Sequence, residues 1–317
     1  MEEMKKLKII VIGAGFWGKN HLRVFSEMKK VKLIGVCDIE ESKAKTFGKK
    51  YGIPWFTDVD AALNKLSFDA ATICTPTITH AEIAKKILAN GKHVLVEKPM
   101  TSTVEEAKEL IALAEKNKVF LSVGFIERFN PAIKHLKKLI KTGKLGKIIL
   151  IIARRVTRWP ERIGDVGVTK DSAIHDIDIM RFLLEKEVTS VYAKIGSLKH
   201  KFEDYSEIMM SFEGGTVGFI DANWLTPRKI RTLIVTGSEA TATVNYLTQE
   251  LIIENSKLTI KPRINWEEPL YLELKNFVES ILKGVQPEPT GLDGLKALEI
   301  CEAIINSGKI NQAIKLL

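Results

Sequence analysis

Three polar side chains recur at helical spacing in the segment DSAIHDIDIMRFLL, residues 171–184. Asp171 and His175 are four positions apart, which is about one helical turn, and Asp178 follows a turn later. A histidine held by a carboxylate can act as a general base and take the proton from a hydroxyl group. The same spacing also suits a surface ion pair, which would contribute only ~0.3–0.5 kcal/mol. The segment alone leaves both interpretations open.

A lysine at the end of a buried strand can complete such a site. In the segment HVLVEKPM the apolar run VLV precedes Glu97, Lys98 and Pro99, so these residues fall at the carboxyl end of a predicted strand. Open α/β sheets bind their ligands at that edge. A lysine there can hydrogen-bond a substrate hydroxyl and stabilise the charge that develops on its oxygen. Without the histidine segment, Lys98 would be interpreted as an ordinary surface lysine.

The segment VIGAGFWG carries glycines in the order G-x-G-x-x-G at Gly13, Gly15 and Gly18. It follows a predicted strand and opens a predicted helix, and Asp38 lies twenty residues past Gly18 at the end of the next strand. This is the context of a dinucleotide-binding fingerprint, in which the helix N-terminus binds the pyrophosphate. Asp38 would accept hydrogen bonds from ribose hydroxyls and repel a 2′-phosphate, so NAD is favoured over NADP.

A later strand ends in the segment CTPTITH, which places Thr75 and Pro76 at the same carboxyl edge of the sheet. We expect both residues to line the cofactor cleft. His80 either reaches the cofactor or only caps and solvates its own helix. The predicted cofactor-binding residues are Gly13, Gly15, Phe16, Trp17, Gly18, Asp38, Thr75, Pro76, His80, Glu97 and Lys98.

Apolar strands alternate with amphipathic helices from residue 7 to about residue 122. Repeated β-α-β order with near-continuous apolar strands predicts a doubly wound parallel sheet of the Rossmann type. After about residue 125, strands of alternating or β-rich character predict a large, open, mostly antiparallel sheet with helices on one face. We therefore predict an α/β protein, with an NAD-binding domain over residues 1–125 and an α+β domain for substrate binding and oligomerisation over 126–317.

The open face of the second sheet needs a cover, and the simplest cover is another copy of the chain. We expect a homodimer or a homotetramer that assembles through this sheet.

The chain of 317 residues has 45% hydrophobic and 27% charged residues, as in a soluble globular protein. It has no run of the ~18–20 apolar residues that a membrane span needs, and because its first residues lack the apolar core of a signal peptide we expect none. Three cysteines without a CxxC pair argue against a disulfide framework or a metal site and favour the cytoplasm. The net charge of +9 comes without a nucleic-acid-binding motif, so nucleic acid is not an expected partner. Few glutamines beside abundant lysine, glutamate and isoleucine suggest a thermophilic source.

The order of VIGAGFWG, CTPTITH, VEKP and DSAIHDIDIMRFL resembles the glucose–fructose oxidoreductase / inositol dehydrogenase (Gfo/Idh/MocA) family over essentially the whole chain. The resemblance implies a catalytic trio of Lys98, Asp171 and His175. In this trio His175 is the general base, Lys98 positions and polarises the hydroxyl, and Asp171 orients the histidine. The family also implies a nicotinamide stacked in the cleft and, often, a cis peptide before Pro99.

A finer resemblance is carried by VGFIERFNPA and ARRVTRWPERIGDVGV, which look like the branch that oxidises UDP-N-acetylglucosamine-type nucleotide sugars at C3. Arginines suit this substrate because they bind diphosphates well, although each one alone could equally face solvent. The arginines just before or beside the expected site also include Arg154 and Arg162. The branch typically has apolar residues before the catalytic aspartate, whereas this chain has Lys170. The residues expected to bind substrate are Arg128, Asn130, Arg155, Arg158 and Asp178.

Two other functions remain open at this point. The chain could be a dehydrogenase of the same family that acts on a free inositol or aldose, which needs no arginines for a diphosphate. It could also be a non-catalytic NAD-binding regulator, although such a protein has little need of the complete trio. The function we expect is an NAD-dependent oxidoreductase acting on a CH–OH group of a sugar, most specifically C3 of UDP-N-acetylglucosamine or a related UDP-amino sugar.

Overall fold

The computed structural model describes residues 6–160 and 164–316. The chain folds into two compact units. The first comprises Met1–Gly124 and Leu270–Leu295, and the second comprises Phe125–Pro269 and Lys296–Leu317. The predicted division assigned all of 126–317 to the second domain, so the return of residues 270–295 to the first unit is a correction.

The returning segment packs into the first unit through apolar side chains and hydrogen bonds. Helix α8 (Pro269–Lys283) buries Leu274 and Phe277. The hydroxyl of Ser122 donates to the carbonyl oxygen of Pro289 at 2.7 Å. Helical periodicity predicts that the segment has a buried face, but only the tertiary fold decides which sheet that face covers.

The first unit is built on a six-stranded parallel sheet in the order β3-β2-β1-β4-β5-β6. This is the Rossmann strand order, and the predicted doubly wound sheet is confirmed. The strands are β1 (Leu7–Ile12), β2 (Val31–Cys37), β3 (Trp55–Phe56), β4 (Ala70–Ile73), β5 (His93–Glu97) and β6 (Leu121–Gly124). The helices between them are α1 (Gly18–Glu27), α2 (Glu41–Tyr51), α3 (Val59–Lys65), α4 (Thr77–Ala89) and α5 (Val104–Lys116).

Local signals fix the ends of several of these helices. Thr103 and Glu106 form a capping box at the start of α5. The Thr103 hydroxyl accepts from the Glu106 N–H at 3.2 Å, and the Glu106 carboxylate accepts from the Thr103 N–H at 3.2 Å. Gly52 ends α2 in the left-handed conformation, with φ at 63°. Each cap satisfies backbone groups that a helix end leaves unpaired, so these boundaries follow from the sequence itself.

The second unit is built on a nine-stranded sheet in the order β14-β13-β12-β11-β7-β10-β9-β8-β15. Neighbouring strands are antiparallel except for β7 and β10, which run parallel, so the predicted mostly antiparallel sheet is confirmed. The strands are β7 (Ile148–Arg158), β8 (Val188–Gly196), β9 (Tyr205–Phe212), β10 (Val217–Asn223), β11 (Leu225–Gly237), β12 (Thr241–Asn245), β13 (Glu250–Glu254), β14 (Thr259–Ile260) and β15 (Ile314–Lys315). The remaining helices are α6 (Pro131–Lys141), α7 (Ile174–Leu184) and α9 (Gly291–Ile310).

The strands of the second sheet alternate between a buried and an exposed face. Helix α7 packs against β7, and α6 packs against β12. On the exposed face, Met209, Phe219 and Ile152 are neighbours across three strands and are 40%, 41% and 39% exposed. Tyr192 and Ile234 extend this line at its two ends. We call these five residues the apolar row.

No helix in the described ranges is long and apolar enough to cross a membrane. Within the same ranges, no group of three or more His, Cys, Asp or Glu side chains is arranged to hold a metal ion. The three cysteines are free thiols. Burial, together with the charges of Asp58 and Asp38, raises the pKa of the Cys37 thiol to about 12, so this thiol stays protonated at neutral pH.

Candidate active site

The glycine turn after β1 has the shape that a dinucleotide pyrophosphate requires. Gly13 adopts a left-handed backbone with φ at +87°, and a Cβ there would lie 2.7 Å from the carbonyl carbon of Cys74. A Cβ on Gly18 would collide with the carbonyl oxygen of Gly13. A Cβ on Gly15 would meet no described atom within 4 Å. The turn is thus closed on its inner side and open at Gly15, where a phosphate can approach the backbone.

Helix α1 starts directly after this turn, with Trp17 at its N-cap. The N–H groups in the first turn of a helix carry partial positive charge and can donate to phosphate oxygens. Phe16 is 52% exposed, and its ring contacts the Trp17 ring edge to face at 5.6 Å. Both aromatic residues therefore lie next to the open Gly15, at the place where the phosphates are predicted to bind.

The Asp38 carboxylate is fixed beside the glycine turn by two backbone N–H groups. Ala14 donates to Oδ2 at 2.6 Å, and Glu40 donates to Oδ1 at 2.9 Å. Asp38 is half-buried, and its oxygens keep lone pairs for a ribose hydroxyl. A 2′-phosphate at this place would meet a fixed negative charge. The open turn and the fixed carboxylate fit NAD better than NADP.

His80 holds two backbone segments together instead of offering a nitrogen to the cofactor. Its ring is 1% exposed, with Nδ1 at 2.9 Å from the Pro99 carbonyl oxygen and Nε2 at 2.8 Å from the Thr75 carbonyl oxygen. The predicted cofactor contact of His80 is therefore corrected to a positioning role. Thr75 is half-buried and Pro76 is exposed, directly after β4.

Glu97, at the end of β5, directs its carboxylate into the first unit. Its Oε1 lies 3.1 Å from Nε2 of the fully buried His21, and its Oε2 accepts from the Lys98 N–H at 3.3 Å. The predicted contact of Glu97 with the cofactor is corrected, because this residue is only 6% exposed and its carboxylate faces the buried His21. The Lys98–Pro99 peptide is cis, as the family resemblance implies, and the Lys98 side chain is half-buried.

Asp171 and His175 lie on one continuous helical run in the second unit. The run begins with a π-helical turn, Thr169–Ala173, and continues as α7. Asp171 is half-buried, and its Oδ2 accepts from the Ser172 hydroxyl at 3.1 Å. His175 is 7% exposed in the first turn of α7. Short π-helical turns occur frequently at functional sites, and here the turn carries the aspartate of the predicted pair.

Lys170 does not leave Asp171 next to an uncompensated positive charge. Its ammonium donates to the Glu302 carboxylate on α9 at 3.4 Å. The positive charge of Lys170, at a position where the family branch typically has an apolar residue, is thus balanced by Glu302, which lies 132 positions away in the sequence.

Three of the residues predicted to bind substrate are engaged inside the second unit. The Arg128 guanidinium donates to both oxygens of Asp178, at 2.8 and 2.5 Å, and both residues are buried. Asn130 accepts from the Ala132 N–H at the start of α6 and donates to the Tyr246 carbonyl oxygen at 3.0 Å. The predicted substrate contacts of Arg128, Asn130 and Asp178 are corrected, because buried polar groups that already bond to each other are not available to a ligand.

Arg155 is also corrected, because its guanidinium is the centre of a buried ionic network. It donates to both oxygens of Asp176, at 2.6 and 3.1 Å, and to Glu127 at 3.0 Å. The Tyr246 hydroxyl donates to Asp176 at 3.2 Å, and Arg231 donates to Glu127 at 3.4 Å. Burial by itself would lower the pKa of Arg155, but the charges of Asp176 and Glu127 raise it well above its usual value.

Sequence reasoning missed Asp176, Glu127, Tyr246 and His21. Asp176 lies within residues 171–184, but it directly follows His175 and so has no one-turn spacing to Asp171 or His175 that would indicate a role. Burial and the nearby charge of Asp176 raise the pKa of Tyr246, so its hydroxyl stays protonated and can donate. His21 lies 76 positions from its partner carboxylate, and nothing local indicates that pairing.

Arg158 differs from the other predicted arginines because it is exposed at the end of β7. It takes part in no ion pair among residues 6–160 and 164–316, whereas Arg154 on the same strand pairs with Asp221 at 2.8 Å. Arg162 lies outside the described residues. Arg158 is therefore the predicted substrate residue whose charge remains available.

Two family models match the chain. One, described as the oxidoreductase family with an NAD-binding Rossmann fold, matches residues 7–125, and the other, the GFO/IDH/MocA C-terminal domain, matches residues 133–243. The chain is also 30% identical to the scyllo-inositol 2-dehydrogenase (NAD(+)) of Bacillus subtilis, over 98% of this chain and 96% of that protein. The chain belongs to the Gfo/Idh/MocA family of oxidoreductases.

Two further proteins give similar comparisons. The UDP-N-acetylglucosamine 3-dehydrogenase of Acidithiobacillus ferrooxidans is 30% identical over 77% of this chain and 75% of that protein. Its solved structure has a TM-score of 0.89 at 26% identity and covers 97% of this chain and 99% of that one. Levoglucosan dehydrogenase in complex with NADH has a TM-score of 0.91 at 22% identity, a likeness of fold alone. This Gfo/Idh/MocA member is an oxidoreductase with an NAD-binding domain, from a family of sugar and polyol dehydrogenases.

Proposed function

We propose that this family member oxidises the C3 hydroxyl of UDP-N-acetylglucosamine or of a related UDP-amino sugar with NAD. The observation that carries the proposal is the exposed guanidinium of Arg158, which no described residue neutralises. A diphosphate is the anion that an arginine binds well, and a free inositol or aldose would make no use of this charge. The similarity to the Acidithiobacillus ferrooxidans enzyme over nearly the whole chain supports the same substrate.

The roles of the trio follow from their chemistry. The nicotinamide of NAD supplies the hydride acceptor when it is bound. His175 takes the hydroxyl proton, so the loss of hydride from C3 and of the proton from its oxygen leaves a ketone. The Lys98 ammonium donates to the same oxygen and stabilises its developing charge. Asp171 stabilises the imidazolium that forms on His175.

The proposal is tested by offering the protein NAD and a panel of UDP-sugars, inositols and aldoses. We expect nicotinamide reduction with UDP-N-acetylglucosamine or a close relative, and a product lighter by two hydrogen atoms. Product mass is measured as well as absorbance, because a tightly bound cofactor that is recycled by a keto-acid would hide the absorbance change. If NAD were reduced in the presence of a free inositol but in the presence of none of the UDP-sugars, the proposed substrate would be refuted.

A second candidate is the dehydrogenation of a free inositol. It is favoured by the longer match to scyllo-inositol 2-dehydrogenase, which spans 98% of this chain against 77% for the nucleotide-sugar enzyme. An Arg158→Met variant separates the two candidates. The KM for a UDP-sugar should rise in this variant, whereas the KM for an uncharged inositol should stay within twofold of the wild-type value.

We also propose that two copies of the chain associate through the apolar row, as a homodimer or as part of a homotetramer. The row has three exposed residues at its centre and a half-buried residue at each end, and a contiguous apolar surface of this kind is typical of an interface between copies. Phe219→Asp places a charge in the middle of the row and should halve the mass measured by light scattering, from a dimer to a monomer or from a tetramer to a dimer. Leu247→Asp, at an exposed position outside the row, should leave the assembly unchanged. An unchanged mass for the Phe219 variant would refute this interface.

We also propose that the protein is cytoplasmic and that it comes from a thermophilic organism. Three free thiols support a cytoplasmic location, because a reducing compartment keeps thiols reduced. A thermophilic source requires a high unfolding temperature, which calorimetry measures directly. Unfolding in the range of ordinary mesophilic domains, about 45–65 °C, would contradict it.

A further inference from the structure

A cavity of about 860 Å³ opens in the second unit, and its lining residue Trp224 bonds to Ser172 in the π-helical turn that precedes α7. Pockets that bind small molecules have volumes of roughly 300–1,000 Å³, so this cavity has room for a nucleotide-sized ligand. Among the residues that the structure describes, six line the cavity, and they include two cations, two tryptophans and no carboxylate. They are Arg158, Trp159, Lys199, Trp224, Leu225 and Pro227.

The aromatic wall of the cavity is held in a defined geometry. The rings of Trp159 and Trp224 meet edge to face, with centroids 5.4 Å apart and planes at 83°. The His200 ring lies 5.0 Å from Trp159 and 5.6 Å from Trp224. Trp224 is 2% exposed, whereas Trp159 is half-buried and can present a ring to a ligand. A planar base can stack on such a ring, whatever its hydrogen-bonding pattern.

No residue in the described ranges neutralises the two cations of the cavity. Arg158 and Lys199 are exposed, and neither takes part in an ion pair among the described residues. This contrasts with Arg128 and Arg155, which are bonded to buried carboxylates. Two such cations beside aromatic rings suit a ligand that carries both a flat base and negative charge.

The cavity wall also connects to the predicted catalytic aspartate. The indole N–H of Trp224 donates to the Ser172 hydroxyl at 3.3 Å, and that hydroxyl donates to Asp171 at 3.1 Å. A ligand in the cavity would therefore lie close to the π-helical turn that precedes α7 and carries Asp171.

We infer that this cavity binds the nucleoside diphosphate part of the substrate. The base stacks on Trp159, and Arg158 and Lys199 bind the phosphates. This inference rests on the proposed function, because it names the part of the nucleotide sugar that the second unit recognises. It adds Trp159 and Lys199 as specificity-determining residues, and Trp224 as the buried ring that supports Trp159.

The test uses uridine diphosphate, which contains the base and both phosphates but lacks the hydroxyl to be oxidised. We expect this probe to bind the full-length protein in calorimetric titration and to quench tryptophan fluorescence. Arg158→Met and Lys199→Met should each weaken binding by about 10-fold or more, because each removes a charge-assisted contact with phosphate. Trp159→Ala should weaken binding by a similar factor, and Trp159→Phe should restore most of it.

Lys257→Met is the matched control, because it removes one positive charge from an exposed turn of the same unit, away from the cavity lining. Its affinity for uridine diphosphate should stay within twofold of the wild-type value. Failure of the wild-type protein to bind the probe would overturn the inference. Equal affinity for the probe in the Arg158, Lys199 and Lys257 variants would overturn it as well.

The two proposals fail in different ways. If uridine diphosphate binds as expected but no UDP-sugar is oxidised, the cavity assignment stands and the proposed function falls. If a UDP-sugar is oxidised but its KM does not change in the Arg158 and Lys199 variants, the proposed function stands and the cavity assignment falls.

Discussion

The variant Arg155→Met tests whether the role of Arg155 is structural. This arginine was predicted to bind substrate, but in the structure it is the centre of a buried ionic network. Methionine keeps a long flexible side chain but removes the charge and all five N–H donors. Asp176 and Glu127, which are 0% and 7% exposed, then lose the guanidinium that bonds to both of them. We expect the variant to be destabilised even in the absence of any ligand.

The size of the effect follows from what remains in the network. Removing one partner of a buried ion pair costs about 3–5 kcal/mol. Asp176 keeps the Tyr246 hydroxyl at 3.2 Å and Glu127 keeps Arg231 at 3.4 Å, so we expect the lower end, ~3 kcal/mol. At a urea dependence of ~3 kcal/mol per M, the unfolding midpoint then falls by ~1 M.

The assay is urea unfolding followed by circular dichroism, with hydrogen exchange of the β7 and α7 peptides to localise the change. Arg158→Met is the control, and its midpoint should match the wild-type value because its side chain is exposed. Adding Asp176→Asn to the Arg155 variant should recover part of the lost stability, since it removes an unpaired buried charge. An Arg155→Met variant with wild-type stability and a raised KM for the UDP-sugar would refute this reasoning.

The remaining predictions concern the base, the cofactor and one titrating carboxylate. His175→Ala should leave NAD binding intact and lower kcat by ~10²–10⁴-fold, and normal turnover would show that the base is a different residue. Asp38→Ala should narrow the preference for NAD over NADP, measured as the ratio of the two kcat/KM values, because it removes the charge that opposes a 2′-phosphate. An unchanged ratio would assign that preference to other residues. Burial and the charge of Asp221 raise the pKa of Glu207 on the exposed sheet face from 4.5 to about 7. The folded state thus holds this proton more tightly than the unfolded state, so the free energy of unfolding decreases as pH rises from 4.5 through 7. Glu207→Gln should therefore be more stable than the wild type at pH 8, by ~1 kcal/mol or less because the side chain is exposed to solvent, and this difference should vanish below pH 4.5.

The buried arginines give helix α7 a fixed position in the second unit. Asp176 is bonded to Arg155 on β7, and Asp178 is bonded to Arg128 just before α6. His175 precedes the first of these anchors on the same helix. The two ion pairs therefore restrict rotation of α7 and help to set the direction of the histidine ring, which makes Arg128 and Arg155 positioning residues for the proposed base.

Features that depend on neighbouring residues were predictable from the sequence. The glycine turn is an example, because the backbone at Gly13 and the close approach at Gly18 are properties of a single strand–turn–helix unit. The capping box of Thr103 and Glu106 is another, since its partners are three residues apart. The periods of the strands and helices likewise indicated the two sheets, because burial on one face repeats along the chain.

Features that depend on distant partners were decided by the tertiary structure alone. Arginines 128, 155 and 158 look equivalent in the sequence, yet two meet buried carboxylates 50 and 21 positions away and the third meets none among the described residues. Whether a charge is available to a ligand depends on which carboxylate the fold brings beside it. The sequence by itself therefore determined the cofactor fold and the candidate trio, whereas long-range packing decided which of the predicted polar residues are free to meet a substrate.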